Sequence, residues 1–531
     1  MIDLAGGELR VSATQTIALV GFENAFGSEG NDLIIGSAGD GFDVLIGNGG
    51  DDRIVASTDG AFIVGGAGAD TFDGTSGGFS IVSYGDETEG LTIDTVDGTN
   101  GTGVAQGDTF ISISRVVGTE QADTIVIGDS GIQTFGGGGD DTIIFTPGPG
   151  GNSQVYGGTD AGDAGTDTIS FENSTTGVFV RFTDNLVLDP DADFAFRGNV
   201  FGIENVIGSA GNDIIIGDGG DNIFYSSGGA DSFNGEDYGD NSGPVGDGGN
   251  DTVSYEFAEE GVNASLTGAT TNILGVAQAD RGEAAGDTFA NIDNLIGSNF
   301  RDFLTGDDNA NQLDGGGGSD FLYGNSGDDV LNGGAGVDVL AGGLGSDTLD
   351  GGDGRDYADY RDQIGTDIDI DLAAGTSSEG DTLISIEAAF GTDGVNSILG
   401  SDDDNLLYGL GGNDTLDGGA GNDRLLGGDG DDTLIAGDGF RDILIGGDGA
   451  DTFSFAQGET GRSIVVDFDV AEGDVIDLSM FGDFASVQDV IDASFQVRTS
   501  LVINLGDVTL IMFGTTADDL TDAYFDFGAM A

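Results

Sequence analysis

Acidic side chains recur every nine residues through long stretches of this 531-residue sequence, each followed two positions later by an apolar residue. The clearest stretch, Gly315 to Asp359, reads GGGGSDFLY GNSGDDVLN GGAGVDVLA GGLGSDTLD GGDGRDYAD. Each nine opens on Gly, carries Gly fourth and an acid sixth, and four of the five place Leu eighth. The chemistry open to such residues is narrow. No His and no Cys occur, and all 13 basic residues are Arg. A zinc site of the usual kind, an HExxH metalloprotease and a Ser-His-Asp triad are therefore excluded. What the acids offer is oxygen: carboxylates beside the exposed carbonyls of glycine turns. About six to eight hard oxygen ligands, with no nitrogen or sulfur, describe a calcium site.

The elements that position these acids follow from the spacing. Three residues such as Phe321-Leu322-Tyr323 are extended, so the middle side chain points one way and its neighbours the other. Stacked strands would set the eighth-position residues in an internal row, while GGxGxD turns the chain within six residues, which needs glycine. Walked back to Gly297, the frame holds seven nonapeptides with Asp302, Asn311, Asp320, Asp329, Asp338, Asp347 and Asp356 sixth. A second array from Gly391 carries Asp414, Asp423 and Asp432, and after one inserted residue, Ala436, resumes with Asp442 and Asp451. Shorter arrays from Gly27, Gly118 and Gly208 contain Asp32, Asp52 and Asp70, then Asp123 and Asp141, then Asp213 and Asp231. Lone units near Gly162 and Gly246 supply Asp167 and Asp251.

This GGxGxDxUx pattern resembles the RTX (repeats-in-toxin, hemolysin-type calcium-binding) family. The resemblance implies an all-β fold: a parallel β-roll or β-helix solenoid, two nonapeptides per coil, with Ca2+ between successive turns. It implies as metal ligands the sixth-position Asp residues named above. Backbone carbonyls of turn residues such as Gly315, Gly324, Gly333, Gly342, Gly418 and Gly427 complete the implied sets. Asn311, Asn396 and Asn405 stand sixth in weaker units and receive no ligand role.

A longer period overlies the nines. GDTFISISRVVG, GDTFANIDNLIG and GDTLISIEAAFG, with the looser FGIENVIG and VGFENAFG, end at glycines 118, 297, 391, 208 and 27. In chain order those glycines are spaced by 91, 90, 89 and 94 residues. The expected segments are a tail of a preceding unit at 1–26, RTX units at 27–117, 118–207, 208–296, 297–390 and 391–455, and a C-terminal β cap at 456–531. Interspersed linkers such as Gly177 to Phe182 and Gly365 to Leu372 alternate in hydropathy and read as further strands. The cap, including SIVVDFDVAEGDVIDLSMFGDF, resembles the closing region of secreted RTX proteases and lipases. Its tail, DDLTDAYFDF, resembles the uncleaved signal of type I secretion substrates.

Composition bounds the function. With 96 acids the formal charge is -83, which disfavours nucleic acid and anionic membranes and favours cations. The opening MIDLAGGELR lacks the basic and apolar regions of a cleavable signal peptide. No apolar run approaches the roughly 18 residues of a membrane helix, so membrane insertion is not expected. The expected protein is a non-catalytic, calcium-dependent, secreted structural or adhesive rod: a surface-layer component, matrix fibre or adhesin. Its expected partners are calcium and the type I secretion machinery, with cell-surface polysaccharide or self-assembly as further ones. The rival readings are the C-terminal secretion region of a larger enzyme or adhesin, and a carboxylate-dependent polysaccharide-active enzyme. The sequence upstream of Met1 would separate the first two.

Overall fold

The computed structural model describes residues 9–10, 18–22, 24–36, 41–128, 131–146, 153–158, 165–188, 197–236, 249–267, 282–455 and 461–528. Most of the 1–26 tail, the opening glycines of the lone units near Gly162 and Gly246, and the loop after Gly268 lie outside them. Short parallel strands dominate, and the chain divides into two compact units. One comprises Met1–Phe257 with Glu283–Ile292, the other Ala258–Gly282 with Asp293–Ala531.

In the second unit, alternate nonapeptides feed alternate sheets. Phe303–Thr305, Phe321–Ser326, Val339–Leu344 and Tyr357–Asp359 are neighbours in one sheet; Gln312–Asp314, Val330–Asn332 and Thr348–Asp350 are neighbours in another. Leu304 pairs with Leu322, and Leu313 with Leu331, so one coil is two nonapeptides. Leu304, Leu313, Leu322, Leu331, Leu340 and Leu349 are at most 1% exposed. The period-two alternation of a strand sends the eighth residue inward and the seventh and ninth toward the outer face. There aromatic rings stack along the ladder, Phe303 on Phe321 at 4.8 Å and Phe390 on Tyr408 at 4.5 Å. The inserted Ala436 is absorbed in the turn, since Leu425 still pairs with Leu444.

The linkers continue the coils. Thr382–Ile384 pairs with Thr348–Asp350 and so extends the array before it, while Asp369–Asp371 pairs with Ser397–Leu399 and starts the next. The first unit repeats the device: Thr109–Ile111 extends Thr71–Asp73, and Thr92–Asp94 starts the ladder of Thr124–Gly128.

The C-terminal segment closes its sheet by reversing direction. Gly461–Val465 pairs in parallel with Val508–Phe513, after which Ser500–Asn504 and Ser494–Val497 add antiparallel strands. Leu501, Ile503, Leu510 and Met512 bury the exposed end of the apolar row. One short helix, Val487–Asp492, lies in this segment and was not expected from the sequence; Ser486 hydroxyl donates to Asp489 in its first turn. Among the described residues no helix is long and apolar enough to cross a membrane.

Candidate metal centres

Glycine turns bring the sixth-position acids into ladders running along the coils. The backbone N–H of Asp302 donates to Asp320 Oδ1 (2.8 Å), that of Asp320 to Asp338 Oδ1 (2.7 Å), and that of Asp338 to Asp356 Oδ1 (2.8 Å). On the opposite turns Asn311 donates to Asp329 Oδ1 and Asp329 to Asp347 Oδ1. The second array continues the pattern from Asp414 to Asp432 to Asp451, and from Asp423 to Asp442. In the first unit Asp32 donates to Asp52 and Asp52 to Asp70; Asp123 donates to Asp141 and Asp141 to Asp167; Asp213 donates to Asp231, and Asn222 to Asp251. All twenty expected Asp residues are thus buried members of such ladders.

Each rung spends only one carboxylate oxygen in this way. The second oxygen, Oδ2, of Asp52, Asp70, Asp320, Asp329, Asp338, Asp347, Asp356, Asp414, Asp423, Asp432 and Asp451 is buried with no hydrogen-bond partner. A buried acceptor left so costs on the order of 1–3 kcal/mol, and more if charged. The oxygens also face others. A Cβ placed on Gly315 would lie 2.7 Å from Asp320 Oδ2 and 2.7 Å from the Gly333 carbonyl oxygen; one on Gly333 would lie 2.7 Å from both Asp338 Oδ2 and the Gly351 carbonyl. Carboxylate and carbonyl flank the same small space with no donor between them, an arrangement that a cation makes favourable. The carbonyls of Gly324, Gly342 and Gly427 occupy the equivalent place beside Asn311, Asp329 and Asp414, and those of Gly315 and Gly418 beside Asp302 and Asn405.

Electrostatics agree. Burial raises Asp70 and Asp320 to about 8 and Asp329, Asp356, Asp423 and Asp451 to about 7, with neighbouring carboxylates adding to the rise. Asp302, Asp347, Asp414, Asp432 and Asp442 rise to about 6 for the same first reason. Among the described residues no three acidic side chains converge as a metal-binding cluster. The donor set therefore rests largely on backbone carbonyls, and the fit is to a hard cation such as Ca2+ rather than to one that selects nitrogen or sulfur. Asn396 displays those carbonyls: its amide Nδ2 lies 3.0 Å from each of Thr392 O, Gly394 O, Gly409 O and Asp414 Oδ1.

Six ladder acids escaped the nonapeptide reading. Asp108, Asp287 and Asp381 of the GDT stretches accept from Asp70, Asp231 and Asp347; Glu204, Glu387 and Asp474 accept from Asp167, Asp356 and Asp451. The signal was present: in each, an acid precedes by two a strand residue of the apolar row, as in Asp108-Thr109-Phe110 and Asp474-Val475-Ile476. None of the six carries both the first and the fourth glycine of the frame.

The sequence matches the RTX calcium-binding nonapeptide repeat (4 copies) over residues 20–40, 26–60, 46–78, 201–233, 287–322, 323–358, 390–425, 410–441 and 426–459. A comparison with curated proteins found no match. Among solved structures the chain is similar to the extracellular lipase of Serratia marcescens, at 20% identity and TM-score 0.20, over 42% of this chain. That match spans 39% of the lipase's length. It is also similar to a subunit of the mannuronan C5-epimerase of Azotobacter vinelandii, at 28% identity and TM-score 0.14, over 26% of this chain and 80% of that one. With matched stretches spread from residue 20 to residue 459 on two-nonapeptide coils, the chain carries RTX calcium-binding nonapeptide repeats.

Proposed function

We propose that this chain is a secreted, non-catalytic structural or adhesive rod that folds on binding extracellular Ca2+, exported by type I machinery and acting as a surface-layer component, matrix fibre or adhesin. The observation that carries the reading is the row of buried Asp Oδ2 atoms without hydrogen-bond partners, from Asp52 to Asp451. Such a row stores a cost that only a cation or proton removes, and a chain with formal charge -83 collects many such costs at once. Acids that a carboxylate-dependent hydrolase would need free are engaged, in these arrays, in holding one coil to the next. On this reading the segments from 27–117 to 391–455 are repeats of one design, and 456–531 caps them and carries the export signal.

Two measurements test it. Light scattering at millimolar calcium should show ordered assembly or binding to isolated cell-surface polysaccharide; a chain that stays monomeric and unbound excludes the surface-layer and adhesin versions. Fusion of residues 456–531 to a passenger should confer calcium-independent export through a type I system, and failure would remove the secretion assignment.

A further inference from the structure

The ladder contains two kinds of turn. In these array turns, each carrying an open Asp, the second position is left-handed: Gly316 (φ 82°), Gly334 (φ 90°), Gly352 (φ 86°), and also Asn48 (φ 74°), Asn325 (φ 80°) and Leu410 (φ 82°). A leucine held there is strained by roughly 1–2 kcal/mol, so the conformation is imposed by the turn rather than by the residue. At the five segment starts the second position is Ser28, Thr119, Ser209, Ser298 or Thr392, and none of these is left-handed.

That change of conformation redirects a donor. Ser298 N–H donates to Asp302 Oδ2 (2.5 Å) and its hydroxyl reaches both carboxylate oxygens, while Val262 N–H takes Oδ1 (2.7 Å). Asp213 is closed in the same way by Ser209 N–H and hydroxyl and by Val178 N–H; Asp123 by Thr119 N–H and hydroxyl and by Leu91 N–H. Asp32 Oδ2 accepts from Ser28 N–H (2.5 Å) and hydroxyl (2.9 Å). At the fifth start the acid is replaced by Asn396, whose amide nitrogen sits among four oxygens. One rung later Asn222, Asn311 and Asn405 each donate an amide N–H to the carbonyl 18 residues upstream, at Glu204, Asp293 and Glu387.

The far ends of three arrays are closed by a different donor. Tyr84, Tyr255 and Tyr360, all buried, donate their hydroxyls to the Oδ2 of Asp108 (2.5 Å), Asp287 (2.7 Å) and Asp381 (2.8 Å). The Oδ1 of each accepts from the N–H of an array Asp, Asp70, Asp231 or Asp347.

We infer that Asp32, Asp123, Asp213 and Asp302, with Asn396, form rungs that hold no cation: protein donors occupy the oxygens that array rungs leave open. Calcium binding is thereby confined to the interior of each array: linkers lead into rungs sealed by Ser, Thr or Asn396, and three of them leave through rungs sealed by Tyr. The reason is geometric. A rung beside a linker keeps the carbonyl of the following coil, as Gly315 beside Asp302, but has no nonapeptide turn on its linker side, and there protein donors already occupy the carboxylate.

The inference rests on the calcium-ladder reading, and the test separates the two. Bound calcium per full-length chain is measured by atomic emission after equilibrium dialysis, for Asp123→Asn/Asp213→Asn/Asp302→Asn and for Asp320→Asn/Asp338→Asn/Asp423→Asn. The first set should retain the wild-type ion count; the second should lose one or more ions. The slope of melting midpoint against log calcium should be unchanged in the first set and shallower in the second, because that slope counts ions bound on folding. Should a triple variant fail to fold, Asp302→Asn against Asp338→Asn gives the same comparison. Equal loss in both sets overturns the sealed rungs. Loss in neither overturns the ladder as the calcium site, and the sealed rungs with it.

Discussion

Asp320 donates its backbone N–H to Oδ1 of Asp338 at 2.7 Å, one coil onward, while Oδ2 of Asp338 is buried with no hydrogen-bond partner. One carboxylate thus holds two coils in register with one oxygen and leaves the other for a cation. On the proposed calcium reading, structure and metal binding share that side chain, and removing it affects both.

Replacing Asp329, Asp338 and Asp347 with Ala should lower calcium stoichiometry by titration calorimetry. It should also strand the N–H groups of Asn311, Asp320 and Asp329, at about 1–3 kcal/mol each. Asp86 and Asp97 lie outside the ladders, and Asp97 only caps Thr99 at the surface. Alanine at those two positions should leave the ion count as it was; equal loss for both sets would sink the assignment.

Gly333 tests the cradle without touching a carboxylate. A methyl group there would press on Asp338 Oδ2 and the Gly351 carbonyl oxygen at 2.7 Å each. Gly333→Ala should weaken local calcium binding and raise the calcium concentration at the folding midpoint; an unshifted midpoint would show that no cation uses that space.

Folding as a whole should be switched by calcium. Circular dichroism in excess chelator should show little β signal, and added calcium should restore it cooperatively, since many sites bind only the folded chain. Magnesium at the same concentration should not, because it keeps its waters and demands octahedral geometry. A chain equally rich in β structure in chelator and in calcium would contradict this.

Acid should partly substitute for the metal. In cation-free coils burial raises Asp320 and Asp70 from 3.8 to about 8, and Asp329 and Asp451 to about 7. The folded state then binds more protons than the unfolded one between those values, so its stability is present near the unfolded pKa and lost as pH rises through the folded one. In chelator, β signal should increase on acidification from about pH 8 to about pH 5, and apparent calcium affinity should fall over the same window as protons compete. More β structure at the higher pH in chelator would reverse the sign and refute the argument.

The core row carries its own expectation. Leu331 is fully buried, and Leu331→Ala should cost about 2–5 kcal/mol. In this chain that loss reads out as a higher calcium requirement for folding, with the number of bound ions at saturation unchanged.

The nine-residue spacing of Gly, Asp and Leu already determined the strand-turn alternation, the inward face of each strand and the place of the sixth-position acids, while the two-nonapeptide coil was implied by the resemblance to RTX repeats. The spacing could do so because each depends on residues a fixed distance apart: strand alternation sends Leu322 to one face and Phe321 and Tyr323 to the other, and Leu322 is fully buried. Which acids remain open was decided only by the tertiary structure. Asp302 and Asp320 occupy the same place in the frame, yet Ser298 and Val262 close one while the other keeps a bare oxygen. Likewise Tyr84 and Asp108 stand 24 residues apart and meet only because the intervening linker brings the GDT strand back beside Thr71–Asp73. A hydrogen bond spanning such a linker depends on where the chain returns, and local spacing does not encode that. The turn residue at the second position does carry a trace of it: Gly in most turns that are left-handed with the carboxylate open, with Asn48, Asn325 and Leu410 among the rest, and Ser or Thr at the segment starts where the N–H swings back and seals it.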